Sequence, residues 1–370
     1  MFSDTRRWNA KVPGVSHENL ATIRAVGRAF PPNYMPQQVA IDNLRQHWSA
    51  QSGAARRLLR LLETSGVQGR YLALTIPEYR ELDSFAKANQ AWLRIAAELA
   101  EAAARNALAC TSLRPHDIDH IFFVTGTGIA TPSLDAPLIN RMRMRADVKR
   151  TPIFGLGCAG GAGAVARAAD YLRAFPRHVA LVISVELCSL TLQRDDTSPA
   201  NLIASTLFGD GAACVVLCGS EAPEAGDVCV VDSRSTFYHD TERVMGWDIV
   251  DSGFKIVMSS EIPNLVRANL ASEVNAFLKR HGLERRSVRH WILHTGGPRV
   301  LEAVGQALEL DTQTLERSWR LLAKVGNVSS ASVLLVLASL LESGEARPGD
   351  YGLMIAMGPG FCAELALLRW

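Results

Sequence analysis

Short apolar runs that read as buried strands alternate with helix-length segments along this chain, and the alternation occurs twice. In the first half, strand-like runs at 21–26, 120–124, 151–156, 179–185 and 212–217 are spaced by helical patterns, chiefly over 82–109 and 164–175. The second half repeats the plan, with strands at 228–233, 290–293, 351–356 and 362–370 and helices at 262–280, 298–307 and 328–342. Such a pattern constrains the chain to an α/β protein of layered sheets and helices. A Pro/Glu/Ala/Gly segment over 220–226 reads as the join. The chain thus divides into an N-terminal arm (1–20), a first half (21–222) and a second half (223–370).

Composition narrows the function by exclusion. The 370 residues are 48% hydrophobic, enough for a large core or two fused halves. A net charge of +2, with both signs interspersed, gives no footprint for nucleic acid. No apolar run reaches the ~18–20 residues of a membrane span, and the N-terminus lacks the apolar core of a signal peptide. The seven cysteines show no disulfide or metal-ligand spacing beyond a weak Cys214-x-x-x-Cys218, and read as reduced thiols in a cytoplasmic protein. Neither a phosphate-binding loop nor a strand-Gly-x-Gly-x-x-Gly-helix unit is present.

The informative cysteine is Cys158, in Gly-Leu-Gly-Cys-Ala-Gly-Gly between a strand-like run and a helix. A thiol at such a corner has the helix N-terminus to stabilise its thiolate, and the glycines allow a substrate carbonyl close to the backbone. The competing reading is a small buried hydrophobe, the usual fate of a free cysteine. Two further element ends weigh against it. His294 closes an apolar run and precedes Thr-Gly-Gly-Pro, and Asn327 lies in Gly-Asn-Val-Ser-Ser-Ala-Ser ahead of an apolar helix. Cys, His and Asn together suit acyl-thioester chemistry.

Five motifs in order carry a resemblance over about residues 21–370: those around Cys158, His294 and Asn327, plus Leu-Phe-Gly-Asp-Gly-Ala-Ala (207–213) and Met-Gly-Pro-Gly-Phe (357–361). The chain resembles the type III polyketide synthases, chalcone-synthase-like enzymes of the thiolase superfamily. The resemblance implies a thiolase-like fold of two superposed βαβαβ halves in five αβαβα layers, and a homodimer. It implies Cys158 as the nucleophile that takes an acyl group from CoA, with His294 holding the thiolate as an ion pair. Asn327 and His294 would stabilise the thioester oxyanion and the enolate left when malonyl-CoA loses CO2. CoA thioesters are then substrates, and neither cofactor nor metal is expected.

Phe208 matches the aromatic gatekeeper between CoA tunnel and cavity, against the plainer reading of a core ring before a tight turn. Ile256 stands where the family has a second gatekeeper phenylalanine. Arg57 and Arg60, spaced three apart on a basic helix, match its CoA-phosphate cations, with Thr64 in place of a third; they otherwise form an ordinary solvated face. Cys188 and Thr191, in Ser-Val-Glu-Leu-Cys-Ser-Leu-Thr-Leu, resemble bacterial enzymes that make alkylpyrones or alkylresorcinols. Gly126 also stands where a bulkier residue is common, so Cys188 and Gly126 together are expected to open an apolar slot, with Thr127 lining it and Trp247 narrowing the chamber. The resulting expectation is a medium- or long-chain acyl-CoA starter, malonyl-CoA extension and an alkylpyrone or resorcinol product. A malonyl-CoA-only enzyme making a naphthalene or phenylacetate, a ketoacyl-carrier-protein synthase performing one condensation, and a non-catalytic scaffold remain as alternatives.

Overall fold

Residues 19–47 and 53–370 are described by a computed structural model, so that of the arm expected over 1–20 only Asn19 and Leu20 fall within it. The first half begins with β1 (Thr22–Ala29), β2 (Asn33–Pro36), α1 (Gln37–His47), α2 (Gly53–Thr64), β3 (Gly69–Leu72), α3 (Ile76–Arg80) and α4 (Phe85–Leu108). It continues through β4 (His120–Val124), α5 (Asp135–Met142), β5 (Lys149–Ile153), α6 (Gly160–Ala174), β6 (Val179–Leu187), α7 (Pro199–Leu207) and β7 (Asp210–Cys218). The second half comprises β8 (Val228–Phe237), β9 (Met245–Val250), β10 (Gly253–Met258), α8 (Ile262–Lys279) and β11 (Val288–Leu293). It closes with α9 (Pro298–Leu308), α10 (Thr312–Val325), α11 (Ala331–Ser343), β12 (Tyr351–Gly358) and β13 (Cys362–Arg369).

The strands join in the order β11-β12-β13-β8-β1-β7-β6-β4-β5. Each half follows one plan: its first strand pairs antiparallel with its last, the last pairs antiparallel with the next, and parallel pairing follows toward the sheet edge (β1-β7-β6-β4 and β8-β13-β12-β11). The halves meet where β1 pairs with β8 through Thr22–Cys229 and Ile23–Val228.

Alternation along the strands sorts side chains into three cores. Ile121, Phe123, Leu181 and Ile183 face Trp92, Ile95 and Leu99 of α4. Their neighbours Phe122, Val124 and Val182 turn the other way, onto α6 and α11, which also meet Met354, Ala356 and Leu368 of the second half. Leu353, Ile355 and Leu365 pack outward on α8 and α9. The layers therefore run α, β, α, β, α, as the resemblance implies. The central helix α11 is buried from Ala331 through Ala338 because sheets flank it, which is why its sequence is apolar all round.

Two boundaries differ from the sequence reading. α6 starts at Gly160 rather than Ala164, since tertiary contact overrides the poor helix propensity of its glycines. A Cβ on Gly161 would overlap the Ser330 carbonyl, so only glycine admits α11 this close. The strand expected over 151–156 instead occupies Lys149–Ile153 at the sheet edge.

Candidate active site

Cys158 lies in a single 3₁₀ turn, Gly157–Ala159, immediately before α6. Gly157 has φ +46°, and a Cβ there would sit 2.6 Å from Pro359 Cδ, which fixes the corner against the Met-Gly-Pro-Gly-Phe loop. His294 follows the end of β11 and is held by its backbone N–H donating to Ile355 O at 3.0 Å. Asn327 precedes α11. Its backbone N–H donates to Leu207 O and its carbonyl accepts from Gly209 N–H, and this bridge sets Phe208 beside it.

These three residues line one cavity of about 60 Å³, together with Cys188, Phe208, Trp247, Ile256, Ser329, Met357 and Phe361. Cys188, Phe208, Trp247 and Ile256 also line a second cavity of about 200 Å³, with Thr191, Arg70, Tyr79, Ser189 and Asn201. They form the wall between the two. Trp247 and Ile256 are cross-strand partners on the β9–β10 hairpin, so one pairing places both.

Burial acts against both charges of the expected ion pair. Burial pushes the Cys158 thiol up to about 12, and the nearby Glu186 charge adds to this. Burial also takes His294 down to about 4. Desolvation penalises both charged forms, so the geometry favours a neutral thiol beside a neutral imidazole. The Cys158 sulfur lies 3.6 Å from Ser329 Oγ, and His294 Nδ1 is buried with no partner among the described residues.

Asn327 Oδ1 accepts from the Ser329 backbone N–H at 2.8 Å and from Ser332 Oγ at 3.4 Å. Only an oxygen can accept from a backbone N–H, so the amide orientation is settled and Nδ2 is left as a donor for the cavity.

Other expected residues fall elsewhere. Gly126 and Thr127 line neither cavity. The Gly126 N–H and Thr127 Oγ1 donate to Glu186 Oε2 at 3.0 and 2.9 Å, and Thr127 borders only a small separate void near Phe85. The apolar slot expected there is instead a polar brace. Arg57 and Arg60 are exposed on α2 and line neither of these two cavities. Thr64, also exposed, donates to Arg60 O at 2.7 Å.

Sequence reasoning left several polar groups without a role. Glu186 is fully buried on β6, where it accepts from Gly126, Thr127 and Ser330; burial raises its pKa against those donors. A carboxylate inside an otherwise apolar strand was the available signal. Asp210, also fully buried, accepts from Ala73 N–H at 2.6 Å and Ser189 N–H at 2.9 Å. It sits inside the Gly-Asp-Gly motif. Arg70 and Tyr79 carried no local signal.

Comparison with known proteins agrees with this geometry. Residues 10–222 match the N-terminal domain of chalcone and stilbene synthases, and residues 230–370 match their C-terminal domain. A 1,3,6,8-tetrahydroxynaphthalene synthase of Streptomyces peucetius subsp. caesius is 50% identical over 94% of this chain and 93% of its own. A phloroglucinol synthase of Pseudomonas fluorescens is 31% identical over 92% of this chain and 97% of its own. The crystal structure of the tetrahydroxynaphthalene synthase of Streptomyces coelicolor A3(2), a bacterial type III polyketide synthase, superposes with a TM-score of 0.89. Its sequence is 31% identical, and the match covers 94% of this chain and 99% of that one. Both halves matched and the fold shared, the chain belongs to the chalcone and stilbene synthase family of type III polyketide synthases, acyltransferases that condense malonyl-CoA.

Proposed function

We propose that this enzyme builds its chain from malonyl-CoA alone, on Cys158, and closes it to a compact hydroxylated aromatic ring. The observation that carries the choice is the 50% identity to a protein named for a tetrahydroxynaphthalene. Ten ring carbons with alternating oxygens are what head-to-tail two-carbon units produce, with no foreign starter left over. The small cavities support the same reading. Both fall below the ~300–1,000 Å³ of sites that enclose drug-sized ligands, which suits a folded polyketide better than a long alkyl chain. The fatty acyl-CoA starter expected from Cys188 and its neighbours therefore gives way to malonyl-CoA.

In this mechanism the neutral His294 accepts the Cys158 proton as sulfur attacks a CoA thioester, and gives it to the CoA thiolate that leaves. Loss of CO2 from the next malonyl-CoA leaves an enolate, whose oxygen accepts from Asn327 Nδ2 and the imidazole N–H. The enolate carbon attacks the Cys158 thioester, a carbon–carbon bond forms, the carbon–sulfur bond breaks, and Cys158 leaves as thiolate. The chain, longer by one ketide unit and now a CoA thioester, returns to Cys158 by thioester exchange, with CoA leaving. Phe208, Trp247 and Ile256 separate the reacting thioester from the larger cavity that takes the chain's far end. Arg57 and Arg60 bind the CoA phosphates. Two copies assemble as a homodimer, a reading supported by the edge position of β5 and by the exposed Phe154 that follows it.

Mass spectrometry of products from malonyl-CoA alone, and with C2 to C18 acyl-CoA starters, tests the proposal. Aromatic product without a starter is expected. Product only when a fatty acyl-CoA is added would restore the alkylpyrone reading.

A further inference from the structure

The second cavity has a polar end that the condensation chemistry does not use. Tyr79 and Ser189 both line it. The Tyr79 hydroxyl donates to Ser189 Oγ, which in turn donates to the Asp210 carboxylate. Both ends of this chain are anchored by backbone: Leu74 N–H donates to Tyr79 Oη at 3.3 Å, and Ala73 and Ser189 N–H groups hold Asp210. The polarity is therefore fixed. Every hydroxyl proton points toward the carboxylate, which leaves the Tyr79 oxygen with a lone pair to accept a proton from the cavity.

Arg70 lines the same cavity and is only 4% exposed. It donates through Nη1 to Phe208 O at 3.4 Å, while its buried Nε has no partner among the described residues. A buried guanidinium with an unused donor is prepared for an anionic oxygen.

We infer that Tyr79, Ser189 and Asp210 form a proton relay that enolises the far end of the growing chain for ring closure, with Arg70 stabilising the enolate oxygen. The inference rests on the polyketide reading of the site. In the step, a methylene C–H between two ketones breaks and its proton passes to Tyr79 Oη. The Tyr79 proton moves to Ser189 and the Ser189 proton to Asp210, so the carboxylate becomes neutral as the chain becomes an enolate. The enolate carbon then attacks the Cys158 thioester. A carbon–carbon bond forms, the carbon–sulfur bond breaks, and Cys158 leaves as thiolate. The proton on Asp210 returns through Ser189 and Tyr79 to water in a surface recess that both residues also border. Burial raises Asp210 to about 6, near the range of an effective general base, and holds Tyr79 well above its ordinary range, so it passes the proton without becoming an anion.

The test compares the wild type with Tyr79→Phe, Ser189→Ala and Ser189→Thr by product mass spectrometry, on whichever starter the wild type turns over. Relay loss lowers the ratio of ring product to open-chain acids and lactones of equal length by about 10²-fold in the first two variants, and Ser189→Thr restores it. An unchanged ratio, or an equal fall in all products, overturns the relay. A wild type that needs an added starter overturns the malonyl-only reading instead and leaves this ratio readable.

Discussion

Beside Cys158 the buried His294 Nδ1 is left without a partner among the described residues, whereas at Tyr79 each hydroxyl is tied to the next polar group. Asn327 there turns its Oδ1 to the Ser329 N–H, and the thiol lies 3.6 Å from Ser329 Oγ. In the neighbouring cavity, hydroxyl, hydroxyl and carboxylate are already joined in series. The difference separates two tasks. A site that stabilises transient charge keeps donors open for it, and a site that moves a proton keeps its path connected.

The comparison breaks most visibly at Asn327. In the proposed mechanism its amide donor serves the enolate, so Asn327→Ala should lower kcat by about 10²- to 10³-fold, and steady-state rates will measure it. Asn327→Asp should fall as far, since it replaces a donor by an acceptor; a variant within a few-fold of wild type would remove Asn327 from the mechanism.

The neutral Cys158–His294 pair of the proposed mechanism is open to a pH test. With the thiol pushed up to about 12, its thiolate fraction grows tenfold for each unit of rising pH. Alkylation of Cys158 by iodoacetamide, followed by peptide mapping, should therefore accelerate about 10²-fold between pH 7 and pH 9. A rate already flat from pH 6 upward would mean that the ion pair forms.

Smaller effects sharpen the boundary between the cavities. Trp247→Ala removes most of a ring that both cavities share, and should raise turnover of medium-chain acyl-CoA starters about tenfold relative to malonyl-CoA alone. No gain with any starter would mean that this wall does not set chain size. Least of all, Arg57→Ala with Arg60→Ala should raise the KM for malonyl-CoA a few-fold with kcat unchanged, because exposed charge contacts contribute only ~0.2–1 kcal/mol each. The increase should shrink as salt is added.

The Cys158 corner was legible in sequence because short-range signals mark it, small residues and the start of a helix, although the strand before it ends at Ile153 and not at the corner. The strand His120–Val124 was legible to the residue for the same reason, being apolar on both faces. The β9–β10 hairpin was not, since its residues are half-buried or exposed along much of its length and show no strict alternation. Trp247 and Ile256 were found by resemblance, and their pairing only by structure. Helices α7 and α10 were missed between stronger signals. The relay lay furthest out of reach: Tyr79 sits on a five-residue helix with no apolar period, 110 residues from the Ser189 it contacts. Gly126 and Thr127 show the opposite failure. Their place in the chain was right, but a buried carboxylate on a neighbouring strand decided what they face.

Intact-protein mass spectrometry with peptide mapping, after brief incubation with malonyl-CoA as the sole substrate, tests the central claim most directly. The account predicts a ladder of adducts on Cys158, rising by one ketide unit per step and absent from Cys158→Ala. An unmodified Cys158, or adducts that form only after another acyl-CoA is supplied, would contradict it.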